Sequence, residues 1–304
     1  MFDYHPVAPF GAWSGPRHPR LLIVGEAWGR FEAELRKPFV GESGKELFDI
    51  LGEAMPDVAP QLHGEIRGLF RYGLAWTGRR DAWLEAAGIA YTNVLNFQPY
   101  GNKVLEVCVK KKDLPDDYSW PSIEGQGNYL DPRYLGEIDR LRAEIEESAP
   151  NLVVACGAKA LWALCQSTKI SSLRGGVTHS TLVPGQKLLP TYHPAALLRQ
   201  WSWRPIVVAD MMKASREAQF RELRRPSRSI LYSPTSAELV AWTTETLAAQ
   251  PAEIACDTET RRGQVTMISF ATSPSRGLVV PFIDETKPGW SFWASPDEEA
   301  VAWD

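Results

Sequence analysis

Three short clusters in this 304-residue chain carry side chains that could do chemistry: Gly25-Glu26, Thr92-Asn93 and His193-Pro194. A carboxylate such as Glu26 can orient a water molecule, and an imidazole such as His193 can donate to a group that gains negative charge. Asn93 offers a carbonyl oxygen and an amide N–H₂ together, so in a fixed orientation it can read a pattern of donors and acceptors. A fourth feature, Asp257-Thr258-Glu259, sets two carboxylates two residues apart. On a strand both point to one face, a pair suited to a hard cation such as Mg²⁺. Each residue also has a plainer reading. His193 could simply end a strand, Glu26 could be a surface carboxylate on a turn, and Asn93 could cap a strand end.

The elements that would position these groups can be read from the apolar pattern. Leu21-Leu22-Ile23-Val24, Ala90 to Leu95, Leu152 to Cys156 and Leu188 to Tyr192 are apolar runs of the length and bounding expected of buried strands. Between them, helical spacing predicts a helix from Ser43 to Leu51, with Ser43 as cap and Glu46 three residues on. Further helices are predicted over Tyr134–Ser148, Ala158–Cys165 and roughly Val207–Gln219. Alternating strands and helices predict an α/β fold with a parallel sheet covered on both faces. Ligands of such sheets sit at the carboxyl ends of the strands, where all three clusters fall.

Composition sets the frame. With 44% apolar and 23% charged residues, the chain reads as an ordinary globular protein rather than a disordered one. No apolar run approaches the ~20 residues that span a bilayer, and the N-terminus lacks the layout of a secretory signal, so a cytoplasmic location is expected and no membrane partner. Cys108, Cys156, Cys165 and Cys256 show no metal-ligand spacing and read as reduced thiols. The net charge of −4 does not exclude a nucleic-acid partner, because association depends on a local basic face. Lys110-Lys111-Lys112 and Arg221, Arg224, Arg225 and Arg228 are the candidates for one. Length favours two domains: 1–220, a basic linker over 221–229, and 230–304.

Gly25-Glu26-Ala27-Trp28-Gly29, Lys37-Pro38-Phe39-Val40-Gly41, Thr92-Asn93, Arg174-Gly175 and Pro190-Thr191-Tyr192-His193-Pro194, in that order, resemble the motifs of the uracil-DNA glycosylase superfamily. The branch it most resembles reads GEAPG in the first motif and TYHPA in the last. The resemblance spans about residues 20–218. It implies a uracil-DNA glycosylase-like parallel sheet flanked by helices, and hydrolysis of the bond between uracil and deoxyribose in DNA, with single-stranded DNA among the candidate substrates. It implies Glu26 and His193 as catalytic residues, with His193 donating to the departing base and Glu26 holding the water. Gly25, Ala27, Phe39 and Asn93 would bind uracil, with Phe39 stacked on the flipped base. Trp28, Arg174, Pro194, Leu197, Leu198 and Arg199 would contact DNA, a leucine serving as the wedge. A second reading is a non-catalytic uracil or DNA sensor that recruits or stalls an attached polymerase.

Two departures from that pattern carry expectations of their own. Members with GEAPG commonly hold an iron–sulfur cluster through four cysteines. Here no Cys precedes Leu21, and Phe97 stands where a ligand is expected. No cluster is therefore expected, its stabilising role passing to the N-terminal arm rich in Pro, Phe and Trp. Trp28 replaces the proline of the first motif, which bears on rate and base preference more than on fold. The segments 57–88 and 101–134 are longer than a minimal domain needs.

Beyond the linker, Ile254 to Thr260, Thr266 to Ala271 and Val280-Pro281-Phe282 resemble the first part of the 3'-5' exonuclease domain of family A DNA polymerases. This resemblance implies a partial ribonuclease H-like α/β unit. Its Mg²⁺ site, Asp257 and Glu259, would be incomplete and inactive, and the context would be a bacterial or bacteriophage replication protein with a covalently linked polymerase.

Overall fold

The computed structural model describes residues 7–123, 127–225 and 227–304. The chain divides into two compact units, Met1–Leu223 and Arg224–Asp304. The first six residues of the N-terminal arm and Pro226 of the segment read as a linker lie outside the described residues.

The first unit runs β1 (Leu21–Ala27), α1 (Arg30–Leu35), α2 (Glu42–Ala54), α3 (Pro60–Gly68), α4 (Thr77–Ala87), β2 (Ile89–Leu95), β3 (Cys108–Lys110), β4 (Asn128–Leu130) and α5 (Leu135–Ser148). It continues through β5 (Leu152–Cys156), α6 (Ala158–Cys165), α7 (Ile170–Leu173), β6 (Thr178–His179), β7 (Lys187–Thr191), α8 (Pro194–Leu197) and α9 (Arg204–Glu217). Five strands form one sheet in the order β2-β1-β5-β7-β6. The first four are parallel, and short β6 pairs antiparallel at the edge.

Both faces of this sheet are apolar because its strands alternate between two cores. Leu21, Ile23, Tyr91, Val154, Cys156 and Leu189 face Phe48 and Leu51 of α2 and Met211 of α9. Leu22, Val24, Ala90, Val153, Ala155 and Leu188 face Leu141 and Ile145 of α5 and Leu161 and Trp162 of α6. Each fully buried side chain of this size contributes roughly 1.5–3 kcal/mol, so the central strands are fixed in register by burial on two sides.

The long segments resolve into structure of their own. Residues 57–88 supply α3, a 3-10 turn (Leu69–Tyr72) and α4. Part of 101–134 folds back as the β3–β4 pair, where the Lys110 ammonium donates to Asn128 Oδ1 at 2.6 Å. The described part of the N-terminal arm docks on the edge of β2. Ser14 exchanges backbone bonds with Tyr91 at 2.8 and 3.2 Å, and the Phe10 amide donates to Glu144 Oε1 at 2.9 Å.

One predicted cap is corrected. α2 begins at Glu42 with Gly41 at the cap, so Ser43 lies inside the first turn. Glu32 of α1 fixes the chain entering the helix: its Oε1 accepts from the amides of Val40 and Gly41, each at 3.1 Å.

The second unit comprises β8 (Ser229–Leu231), α10 (Ser236–Ala249), β9 (Ala255–Arg261), β10 (Gln264–Ser273), β11 (Arg276–Pro281) and α11 (Pro296–Trp303). Its sheet order is β8-β11-β10-β9, with β9, β10 and β11 antiparallel and β8 parallel to β11. A small core of Leu239, Leu278, Val280, Phe282 and Trp293 holds it together. Sequence reasoning missed α10, although its capping box was present. The Thr235 side chain accepts from the Glu238 amide, and Glu238 reaches back to the Thr235 amide.

Candidate active site

Gly25 ends the buried part of β1 and pairs in register with Asn93 of β2, so their side-chain positions share a face. A Cβ on Gly25 would lie 2.1 Å from Asn93 Oδ1 and 2.7 Å from Phe39 Cζ. Only glycine allows this approach of the Asn93 amide and the Phe39 ring to the β1 backbone. Phe39 is almost fully buried, its ring edge-on to Tyr91 with centroids 5.3 Å apart. Its backbone sits in the left-handed region, φ 52°, costly for a phenylalanine. Arg80 holds it there: this fully buried guanidinium donates to Pro38 O at 2.9 Å, Phe39 O at 2.7 Å and Ser14 Oγ at 2.6 Å. Gly44 completes the clamp, since a Cβ there would lie 2.0 Å from Phe39 O.

Asn93 is buried, and among the described residues its amide nitrogen has no hydrogen-bond partner. Its backbone is pinned from the opposite face. Arg140 of α5 donates to Asn93 O at 2.7 Å and Val94 O at 2.9 Å, while Glu144 accepts from Arg140 at 2.6 Å and from Thr92 Oγ1 at 2.8 Å. Glu137 accepts from Arg140 Nε and from the Asn96 amide, both at 3.0 Å. Arg140, Glu137 and Glu144 are all buried, and the one guanidinium offsets part of the charge of the two carboxylates.

His193 follows β7 and must cross the end of β5, which lies between β7 and β1. Gly157, with φ 89°, permits this, because a Cβ there would come within 3.0 Å of His193 Cβ. The imidazole then lies against Phe39, nearly parallel, with centroids 5.9 Å apart. Its Nδ1 accepts from the Ala195 amide at 3.1 Å. A ring whose Nδ1 accepts carries its proton on Nε2, which is left to donate. Protein packed around the ring pushes its pKa down to about 4, with Arg199 and Lys159 adding to the effect. His193 is thus a neutral donor at pH 7. Beneath it, Asp210 accepts from Thr191 Oγ1 at 2.7 Å and from Arg174 Nε at 3.0 Å, fixing the strand end two residues before His193.

The structure therefore gathers Gly25, Phe39, Asn93 and His193 on one face of the sheet's carboxyl edge. It does not bring every predicted residue there. Glu26 lines a small cavity with Val94, Lys159 and Trp162 on the opposite face, as strand alternation dictates. Ala27 packs against that second core as well. Trp28 was expected on DNA, but its ring is buried, and its indole N–H lacks a partner among the described residues. Arg174 was expected on phosphate, but it is engaged with Asp210 through both nitrogens. Pro194 and Leu197 are buried, Leu197 completely, because the face of α8 that carries Leu197 packs on the core; of the two candidate wedge leucines, Leu198 is the exposed one. Arg199 is exposed. Sequence reasoning missed Glu32, Arg80, Arg140 and Asp210, which position the site without touching its open groups.

The sequence model of the family described as the Uracil DNA glycosylase superfamily matches residues 12–224. This chain belongs to that superfamily. It is also similar to the type-4 uracil-DNA glycosylase of Thermotoga maritima, 26% identical over 200 residues that cover 64% of this chain and 76% of the relative. Superfamily members of the resembled branch hold an iron–sulfur cluster on four thiolates, and the residues here do not fit one. Cys156 is buried in the core beneath the site, where burial and Asp210 raise its pKa well above the ordinary thiol value. Cys108 and Cys165 pack against the other core, and Cys256 belongs to the second unit. Phe97 instead packs on Tyr134, centroids 5.2 Å apart. Among the described residues no helix is long and apolar enough to cross a membrane.

Proposed function

We propose that the first unit is a DNA-repair hydrolase that cleaves the N-glycosidic bond of uracil in DNA. The observation that carries this reading is the buried, unpartnered Asn93 amide nitrogen on the same face as a neutral His193. An orphaned buried donor costs about 1–3 kcal/mol, a cost removed when a base carbonyl accepts from it. Uracil offers O4 as acceptor and N3–H as donor, the complement of an asparagine amide. Cytosine offers the reverse.

Breaking the bond leaves negative charge on the departing uracil and positive charge on the sugar, an oxocarbenium-like transition state. Nε2–H of His193 donates to the carbonyl oxygen that gains charge, and its neutrality leaves the base to depart as a stabilised anion. Glu26, at the strand end one residue past Gly25, is the carboxylate assigned to the sugar and the attacking water; because its side chain lines the cavity on the other face of β1, this role requires it to turn toward the strand end. Phe39 takes the flipped base on its ring. Leu198 fills the space the base leaves, and Arg199 meets phosphate.

For the second unit, the strand β9 that carries Asp257 and Glu259 along an antiparallel meander supports the reading as the start of a 3'-5' exonuclease fold. In this reading Asp257 and Glu259, both on β9, are the two carboxylates of an incomplete Mg²⁺ site. A covalently linked replication polymerase is the partner this reading implies.

The test of the first unit is a single-stranded oligonucleotide carrying one uracil, incubated with the chain and then treated with alkali. Strand breaks at the uracil are expected. His193→Ala, losing one preorganised donor, should lower the rate by about 10²–10³. Tight uracil-dependent binding without breaks would instead make the domain a sensor.

A further inference from the structure

Ten residues after β7, a 3-10 turn (Trp201–Trp203) carries a tryptophan that the site described above does not use. Trp201 is 61% exposed and Leu198, three residues earlier, 54%. Single exposed apolar side chains need no explanation, but this one is held in place. Trp203 of the same turn stacks on Tyr192, centroids 4.4 Å apart at 18°, and Tyr192 immediately precedes His193. On its other side the Arg204 guanidinium sits 5.4 Å from the Trp201 ring centroid. Arg204 is itself fixed by Glu46 at 2.8 Å and Glu53 at 2.7 Å, both on α2. The amides of Arg199 and Gln200 both donate to Ala196 O, at 3.1 and 2.9 Å, so α8 and the turn form one continuous piece with His193 at its start. A large indole is thus kept in solvent by a rigid mount anchored to the base-handling residue.

We propose that Trp201 is a stacking platform for an unpaired base neighbouring the flipped nucleotide, and that it makes single-stranded uracil-DNA the favoured substrate. The proposal rests on the glycosylase reading for the identity of that nucleotide. The chemistry is that of single-strand binders, in which an aromatic face accepts any base and cations track the phosphates. Leu198, Arg199 and Trp201 supply wedge, cation and stack within four residues. A base still paired in a duplex keeps its own stacking and has less to gain.

The test compares the whole chain with Trp201→Ala and Trp201→Phe, reading binding and turnover separately. For a labelled single-stranded oligonucleotide, Trp201→Ala should bind roughly 5–150-fold more weakly, the range expected for one base–aromatic stack. Trp201→Phe should recover most of that loss, and kcat should change little. Duplex binding should change much less. In the unaltered protein, 2-aminopurine placed beside the uracil should lose fluorescence on binding, as stacking on an indole requires. Unchanged single-strand affinity in Trp201→Ala, an equal loss on both substrates, or brightened 2-aminopurine would overturn the proposal. Trp201-dependent binding without base release would leave it standing while the glycosylase reading fell; base release with Trp201-independent binding would do the opposite.

Discussion

At His193 a single backbone hydrogen bond decides the chemistry. The Ala195 amide occupies Nδ1, so the ring's proton must sit on Nε2, and the packing that pushes the pKa down to about 4 keeps the ring neutral. The linkage has a definite sign. An unfolded histidine takes up a proton below about pH 6.5, whereas the folded one resists until about pH 4. The folded state is therefore favoured above about 6.5 and loses that advantage as pH falls toward 4. Urea midpoints at pH 7 and pH 5 should show this, the midpoint falling less in His193→Asn than in the unaltered chain. An identical fall in both would show that His193 does not titrate as described. His193 and Asn93 were marked by their types and strand-end positions, Phe39, in the loop between α1 and α2, only through the resemblance of its motif. Arg80 was not: it grips Phe39 from 41 residues away, and nothing in the local pattern separates it from Arg79 beside it, which forms an exposed pair with Glu65.

At the scale of elements, the site depends on how α5 holds the carboxyl end of β2. Arg140 bridges two buried glutamates and two β2 carbonyls, so Arg140→Met should cost about 3–5 kcal/mol by leaving Glu137 and Glu144 uncompensated. Urea denaturation measures this, and a loss under 1 kcal/mol would mean the network does not hold β2. The four central strands were legible because burial on both faces writes unbroken apolar runs such as Leu152 to Cys156, and α2, α5, α6 and α9 by their helical spacing, whereas α3, α4 and α10 were not read. Short α7 and α8, four residues each, were not, since helices of that length owe their form to what they pack on. Ser43 misled for a related reason. Its sequence offers a cap, but Glu32, ten residues earlier, already satisfies the Val40 and Gly41 amides ahead of it. Leu197 and Leu198 could not be told apart by sequence, because which leucine of α8 faces the core is settled by packing alone.

For the whole molecule, the net charge of −4 says little about DNA, since the groups assigned to it are few and local. The arm at Phe10 to Ser14 ties β2 to α5 in a domain whose thiols do not converge. The second unit keeps its own small core, and three of its four strands were legible where β8 and its first helix were not. In the proposed function Asn93 and His193 together read uracil and release it. The most direct measurement is chromatography of the free bases released from matched single-stranded oligonucleotides carrying one uracil or one cytosine at the same position. Free uracil, no free cytosine, and loss of uracil release in Asn93→Ala are predicted. Release of neither base, or undiminished release by Asn93→Ala, would contradict it.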